Sequence, residues 1–240
     1  MESPNIITFL AHALKGTNLS SFLKTWENAV LSLMVVAGIS LVFYLASRKM
    51  SLIPGRFQSA VELTVGGIDE FVCGILGQKG REYLPFVGTL FIYILISNLL
   101  GFIPFMKSPT SSLSMTFALS ICVFLYVQYT AIKNMGARGY ADHLMGNPRG
   151  AIAFSVIMPF FMFVLHLITE FIRPVTLALR LRSNVFGDEM LLSVIAGLGM
   201  TWLPLLFFSM LLSIIAAIMQ AVVFSLLTTV YFALVLKEEE

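Results

Sequence analysis

Residues 170–189 read EFIRPVTLALRLRSNVFGDE. This stretch places Glu170, Arg173, Arg180, Arg182, Asp188 and Glu189 inside the most apolar half of the chain, with runs of Leu, Ile, Val, Phe and Met on both sides. Charge at bilayer depth is costly, and groups kept there line ion pathways or bind ligands. The two kinds of charge support different chemistry. Carboxylates, and the imidazole of His166, exchange protons with water, whereas a guanidinium stays protonated in a protein and cannot hand a proton on. Arg180, flanked by Leu177-Ala178-Leu179 and Leu181, is therefore a fixed positive charge with protonatable groups on either side of it in the chain.

On a helix Arg180 shares a face with Arg173, Thr176, Asn184 and Gly187. Arg182 and Glu189 share a polar stripe on the opposite face, and His166 and Glu170 lie one turn apart, placed to share a wet cleft. The acids of this stretch lie off the Arg180 face. A cation held in lipid there calls for an anionic partner from another chain, such as a membrane carboxylate that arrives ionised and leaves protonated. Arg173 and Arg182 have a second reading, in which they snorkel to the headgroups or pin neighbouring helices. His166 has one too, as a satisfied helix contact. A zinc site built on His166 and Glu170 lacks further ligands at suitable spacing.

Hydrophobic residues make up 58% of the chain and charged residues 12%, about half the charged share of a soluble domain. The chain reads as an integral membrane protein. Its net charge of +2 comes with no basic tract, so nothing points to nucleic acid. No charged leader with a short apolar run and small-residue cleavage site opens it, so no signal peptide is expected. No phosphate-cradling Gly-rich motif is present, which argues against nucleotide chemistry, a catalytic site of its own, or a bound cofactor. Cys73 and Cys122 are isolated and read as small packing residues.

These groups need helices to position them. After a mixed N-terminal segment, 1–27, an uncharged span covers 28–47 and is closed by Arg48 and Lys49. In 50–84, Phe57, Val61, Ile68, Val72 and Ile75 recur at helical spacing with Thr64 in the series, while Gln58, Glu62 and Asp69 fall on another face. This predicts an amphipathic helix on the membrane surface or against a partner, with glycines at 66, 67, 74 and 77 weakening it. Spans over 85–104 and 113–132 form a hairpin. Asn98, within the first of these, is either a helix–helix hydrogen-bonder or a functional group. A polar loop follows at 133–150. Residues 151–188 contain no turn signal. As one helix they reach ~57 Å, against a hydrocarbon core of ~30 Å, and fit only at a tilt of roughly 60°. Pro159 and Pro174 are potential kinks. A break near Gly197, Gly199 and Pro204 leads to a last helix over about 205–236. The expected fold is all-α: a polytopic membrane protein with about five membrane helices, the last two long and strongly tilted, plus one amphipathic surface helix, in a single transmembrane domain over 28–240. Lys and Arg number five in 48–84 and three in 133–150, but one in 105–112. By the positive-inside rule the richer segments and the C-terminus face the cytoplasm and the N-terminus lies outside.

The stretch RPVTLALRLRSNVFGDEMLL, 173–192, resembles the a subunit of F-type ATP synthases. The family pattern of a basic residue, Pro, Ser/Thr-Leu, Arg-Leu, an aromatic-Gly pair, Asn, and Glu or His five residues on fits Pro174, Thr176, Leu177, Arg180, Leu181, Asn184 and Glu189. Gln220, in IMQAVVFSLLTTVYFAL, matches a Gln of the family's final helix, and Ser97-Asn98-Leu99-Leu100-Gly101 with Pro104 matches its hairpin. The resemblance covers most of 85–240; the N-terminal third matches only in layout. It implies a proton-translocating stator subunit in a bacterial inner membrane, partnered by a ring of c subunits, peripheral-stalk b subunits and lipid. Arg180 would be the essential arginine facing the ring, with Gln220 opposite it. Asn184, Asp188 and Glu189 would line an outer half-channel, and Glu170, His166 and Arg173 an inner one. Three departures stand out. Arg182-Ser183 replaces the aromatic-Gly pair. His166 occupies a position where many members have Glu. Ser213 stands where many carry His or Glu, a group that Asp188 could replace. The rival readings are a secondary transporter, which calls for an internal repeat the halves do not show, and a helix scaffold, which calls for charge only at span ends.

Overall fold

The computed structural model describes residues 27–48, 55–102, 108–144, 154–197 and 203–237. They form six α-helices and no strand: α1 Glu27–Arg48, α2 Arg56–Leu76, α3 Leu84–Leu100, α4 Leu113–Leu144, α5 Phe154–Gly197 and α6 Leu203–Lys237. Short 3₁₀ segments at Gly77–Glu82 and Pro109–Ser111 join α2 to α3 and lead into α4. Five stretches are long and apolar enough to cross a membrane: Asn28–Ala46, Gln58–Leu100, Leu113–Asn134, Phe161–Ile195 and Pro204–Leu236. The expected N-terminal segment lies outside the described residues.

α2 ends where the chain requires a residue without Cβ: Gly77 has φ of 64°, a left-handed conformation open to glycine at little cost. The other three glycines of this segment do not interrupt the helix. Its apolar face is only partly the expected one. Ile68 and Val72 are buried, but Ile75 is exposed. α2 lies against α3 and α6 of the same chain, and Gly88 of α3 leaves room for Ile68. On its exposed face Gln58 donates to Glu62 at 2.7 Å.

The expected loop after the third span is in part helical. α4 continues to Leu144, interrupted at Gly136, where φ is 72° and the helical path breaks. Length also exceeds expectation in α5, whose 44 residues extend ~66 Å, about twice the hydrocarbon core. Its apolar stretch alone has 35 residues, more than an upright span holds. Pro159 and Pro174 both lie within this continuous helix. Pro174 is buried on the face that packs inward.

The core lies where α3, α4, α5 and α6 meet, with Ile94, Val123, Leu181 and Phe224 among its fully buried side chains. Phe232 anchors one end. It stacks on Tyr83 at 4.7 Å between ring centroids and meets Phe86 and Tyr126 edge-on at 6.1 and 5.6 Å. Phe86 and Tyr126 stack at 4.3 Å. Such ring pairs add to the burial of each aromatic. Phe232→Ala should therefore destabilise the subunit by about 3 kcal/mol, and Phe232→Leu by clearly less. Thermal unfolding of the detergent-solubilised chain measures both, and equal losses would discount the ring contacts.

Candidate functional site: two clefts flanking Arg180

α5 and α6 run antiparallel and meet side chain to side chain along their length. Asn184 Nδ2 donates to Gln220 Oε1 at 2.7 Å. One turn along, Asp188 accepts a hydrogen bond from the Ser213 hydroxyl. In the other direction the guanidinium of Arg173 lies 5.1 Å from the ring centroid of Tyr231. These three meetings fix the register of the two helices. Each draws a polar or charged side chain of α5 toward α6.

The polar ends of this ladder open into two separate clefts. One is lined by Asn98, Gly101 and Phe102 at the end of α3, Asn184 and Asp188 of α5, and Gln220 of α6. Gln220 is only 3% exposed, and its Nε2 has no hydrogen-bond partner among the described residues. A buried amide donor left open costs on the order of 1–3 kcal/mol, so water entering this cleft has a ready acceptor role to fill. The second cleft is lined by Gln128 of α4, Glu170 and Arg173 of α5, and Tyr231 of α6. Gln128 donates through Nε2 to Glu170 Oε2. Arg173 reaches the other oxygen of the same carboxylate at 3.9 Å. An amide, a cation and a carboxylate thus converge on this cleft from two helices, with an aromatic face from a third.

Between the clefts the helix packs tightly. Leu177 is 2% exposed, Ala178 and Leu181 are fully buried, and Leu177 and Leu181 join Ala221 and Phe224 of α6 in the continuous core. An apolar septum therefore separates the clefts. Arg180 belongs to the same turns but points the other way. It is exposed, lines neither cleft, and makes no hydrogen bond or ion pair with a described side chain.

Asn184, Asp188 and Gln220 come together in the first cleft, and Glu170 and Arg173 in the second. Gln220 Oε1 accepts from Asn184, which lies one turn farther along α5 than Arg180. His166 is half-buried one turn before Glu170 and does not line the second cleft. Glu189 follows Asp188 in α5, and its side chain lies outside the described set. Arg182 turns away from Arg180, with its guanidinium 5.8 Å from the Phe186 ring centroid and a buried Nε lacking a described partner. Gln128 and Tyr231 were not anticipated. An amide within the apolar run CVFLYVQYTAI is itself a signal, since polar side chains in spans face protein or water. Tyr231 carries none, because an aromatic near a helix end also reads as an interfacial anchor.

The chain matches the model of the ATP synthase A chain family over residues 29–233. It belongs to that family. Its relatives include an ATP synthase subunit a of Protochlamydia amoebophila, 41% identical over 99% of this chain and 90% of the relative. A subunit a of Moorella thermoacetica is 38% identical over 89% of each chain. One from a Sulfurihydrogenibium species is 35% identical over 86% of this chain and 95% of its own length. The protein is thus an F-type ATP synthase subunit, embedded in a membrane and concerned with ATP synthesis and proton transport. The transporter and scaffold readings give way to this ATP synthase A chain membership.

The Asn184–Gln220 bond joins the two longest helices of this ATP synthase A chain protein. Interhelical hydrogen bonds in membrane proteins couple by ~0.6 kcal/mol on average. A double-mutant cycle of Asn184→Leu and Gln220→Leu, read by thermal unfolding, should give a coupling of about that size. Strict additivity would show that the bond contributes nothing to the helix pair.

Proposed function

We propose that this subunit is the proton-path stator of the ATP synthase membrane sector, carrying two offset half-channels separated by Arg180 and driving rotation of a c-subunit ring. The observation that carries this reading is an exposed guanidinium, without a partner among the described side chains, between two clefts that each hold polar side chains and that the subunit's own apolar packing keeps apart. A cation in that position is poorly placed in lipid alone, and a carboxylate on a neighbouring chain supplies the missing partner. The face around it suits a close neighbour. Thr176, Ser183 and Gly187 are small and exposed, and Ile215, Ile218 and Met219 of α6 present an uncovered apolar surface.

Protons enter from outside through the Asn184–Asp188–Gln220 cleft, past Glu189, and neutralise a ring carboxylate. Neutral, it can turn through lipid; ionised, it cannot, because charge there is too costly. On the far side it meets the second cleft, where Glu170 with Arg173, and His166 beyond, conduct the proton to the cytoplasm. Arg180 blocks a direct leak, since it cannot give up its proton. It also draws the returning carboxylate into ionised form. Each charge crossing 100 mV yields about 2.3 kcal/mol, so several protons serve each ATP. The subunit does no bond chemistry itself. Peripheral-stalk b subunits hold it still. The orientation is N-terminus outside and C-terminus cytoplasmic in a bacterial inner membrane, which the Lys/Arg distribution and the bacterial relatives support.

Arg180→Ala should abolish proton-driven ATP synthesis in reconstituted vesicles while the complex still assembles. Normal coupled synthesis by the assembled variant would end the reading. Glu189→Gln should slow proton flux at least several-fold; flux at the wild-type rate would remove Glu189 from the path.

A further inference from the structure

The first cleft has a wall that the proposed path does not use. Asn98 lies near the end of α3 and is 4% exposed. Its Oδ1 accepts from the Thr110 hydroxyl at 2.8 Å. Thr110, 2% exposed, belongs to the 3₁₀ turn Pro109–Ser111 and lies 2.6 Å, oxygen to oxygen, from the hydroxyl of Ser108, which is fully buried. The Ser108 oxygen also lies 2.8 Å from the Ser97 carbonyl; with the Thr110 proton on Asn98, the single Ser108 proton serves either the Thr110 oxygen or that carbonyl, one at a time. The link folds back this tightly because Gly101 has no side chain: a Cβ there would meet Ser108 Cβ at 3.2 Å and the Asn98 carbonyl oxygen at 3.3 Å.

The consequence is chemical. An amide has two unlike ends, and rotation about its last torsion exchanges acceptor for donor. With Oδ1 held by Thr110, the N–H₂ end of Asn98 faces α6, where Nδ2 points at the Ala217 carbonyl at 3.5 Å. This lies one turn from Gln220, whose Nε2 is a second amide donor of the same cleft and has no partner among the described residues. Ser108 and Thr110 line no part of the cleft, so their influence on it runs through Asn98.

We propose that Thr110, braced by Ser108, is a positioning residue that fixes the Asn98 amide with its donor end toward the cleft, so that N–H groups from both α3 and α6 face the protons' water and the carboxylates beside it. The proposal deepens the proton-path reading and rests on it. Without the Thr110 hydroxyl the amide is free to turn, its oxygen competes for the cleft, and passage slows although the septum and Arg180 are untouched.

The test uses the reconstituted holoenzyme, with ATP synthesis under an imposed proton gradient normalised to assembled complex. Thr110→Val keeps shape and removes the hydroxyl; it should slow synthesis about five-fold, the size of one net hydrogen bond. Thr110→Ser should restore at least half the wild-type rate. In an Asn98→Leu background, Thr110→Val should cause no further loss, because Asn98 is the group it acts through. Wild-type rates for Thr110→Val, or an equal further loss in the Asn98→Leu background, would overturn the proposal. A deficit that vanishes on normalising to assembled complex would do the same. Should Thr110→Val fail to assemble, Ser108→Ala removes the brace and should slow synthesis about two-fold, roughly half of one such bond; an unchanged rate overturns the proposal. Arg180→Ala in the same vesicles separates the two ideas. If it abolishes synthesis while Thr110→Val runs at the wild-type rate, only the positioning role fails. If it supports normal coupled synthesis, the path reading itself has failed.

Discussion

The antiparallel pairing of α5 with α6 is the constraint on which the other features depend. Along one seam the two helices place Asn184 on Gln220, Asp188 on Ser213 and Arg173 on Tyr231. Lipid offers no hydrogen bonds to polar groups, so these side chains must satisfy one another or reach water. Pairing them draws most of the polarity of α5 inward. Arg180 is left on the outer surface, exposed and away from both clefts.

Apolar packing is as important to this design as charge. Leu177 and Leu181, with Ala221 and Phe224 across from them, close the space between the clefts. Were that seam lined with small polar groups, water could join the clefts, and a fixed cation on the surface would not prevent leakage. The clefts also differ in kind. The Glu170 carboxylate is held by an amide and a guanidinium. The Asn98–Gln220 cleft offers amide groups and one visible carboxylate, Asp188, tied to a hydroxyl.

Polar satisfaction also explains the arrangement of the hairpin. Asn98 alone in α3 would be an orphan amide in the membrane. The link after α3 returns to cover it with Thr110 and Ser108, and this return depends on the missing side chain of Gly101. The first cleft is thus built by three segments far apart in sequence, α3 with its link, α5 and α6.

The sequence by itself determined the helical class, the five spans, the unusual length of α5 and the identity of the fixed cation. Each follows from composition or from one-dimensional spacing: apolar runs set spans, and a lone Arg among leucines is visible without a structure. Where glycine φ decided the path, spacing misled. Gly136 breaks α4 without ending it, and Gly66, Gly67 and Gly74 do not interrupt α2. The tertiary structure alone decided which polar groups meet. Gln220 was legible as a polar residue in the last span, but its pairing with Asn184 depends on the register of two helices, which no local pattern encodes. The same holds for Gln128 on Glu170, for Tyr231 under Arg173 and for Thr110 on Asn98. Side-chain partners in a helical membrane protein are set by how helices cross, and that is fixed by packing over the whole seam rather than by any residue's neighbours in the chain.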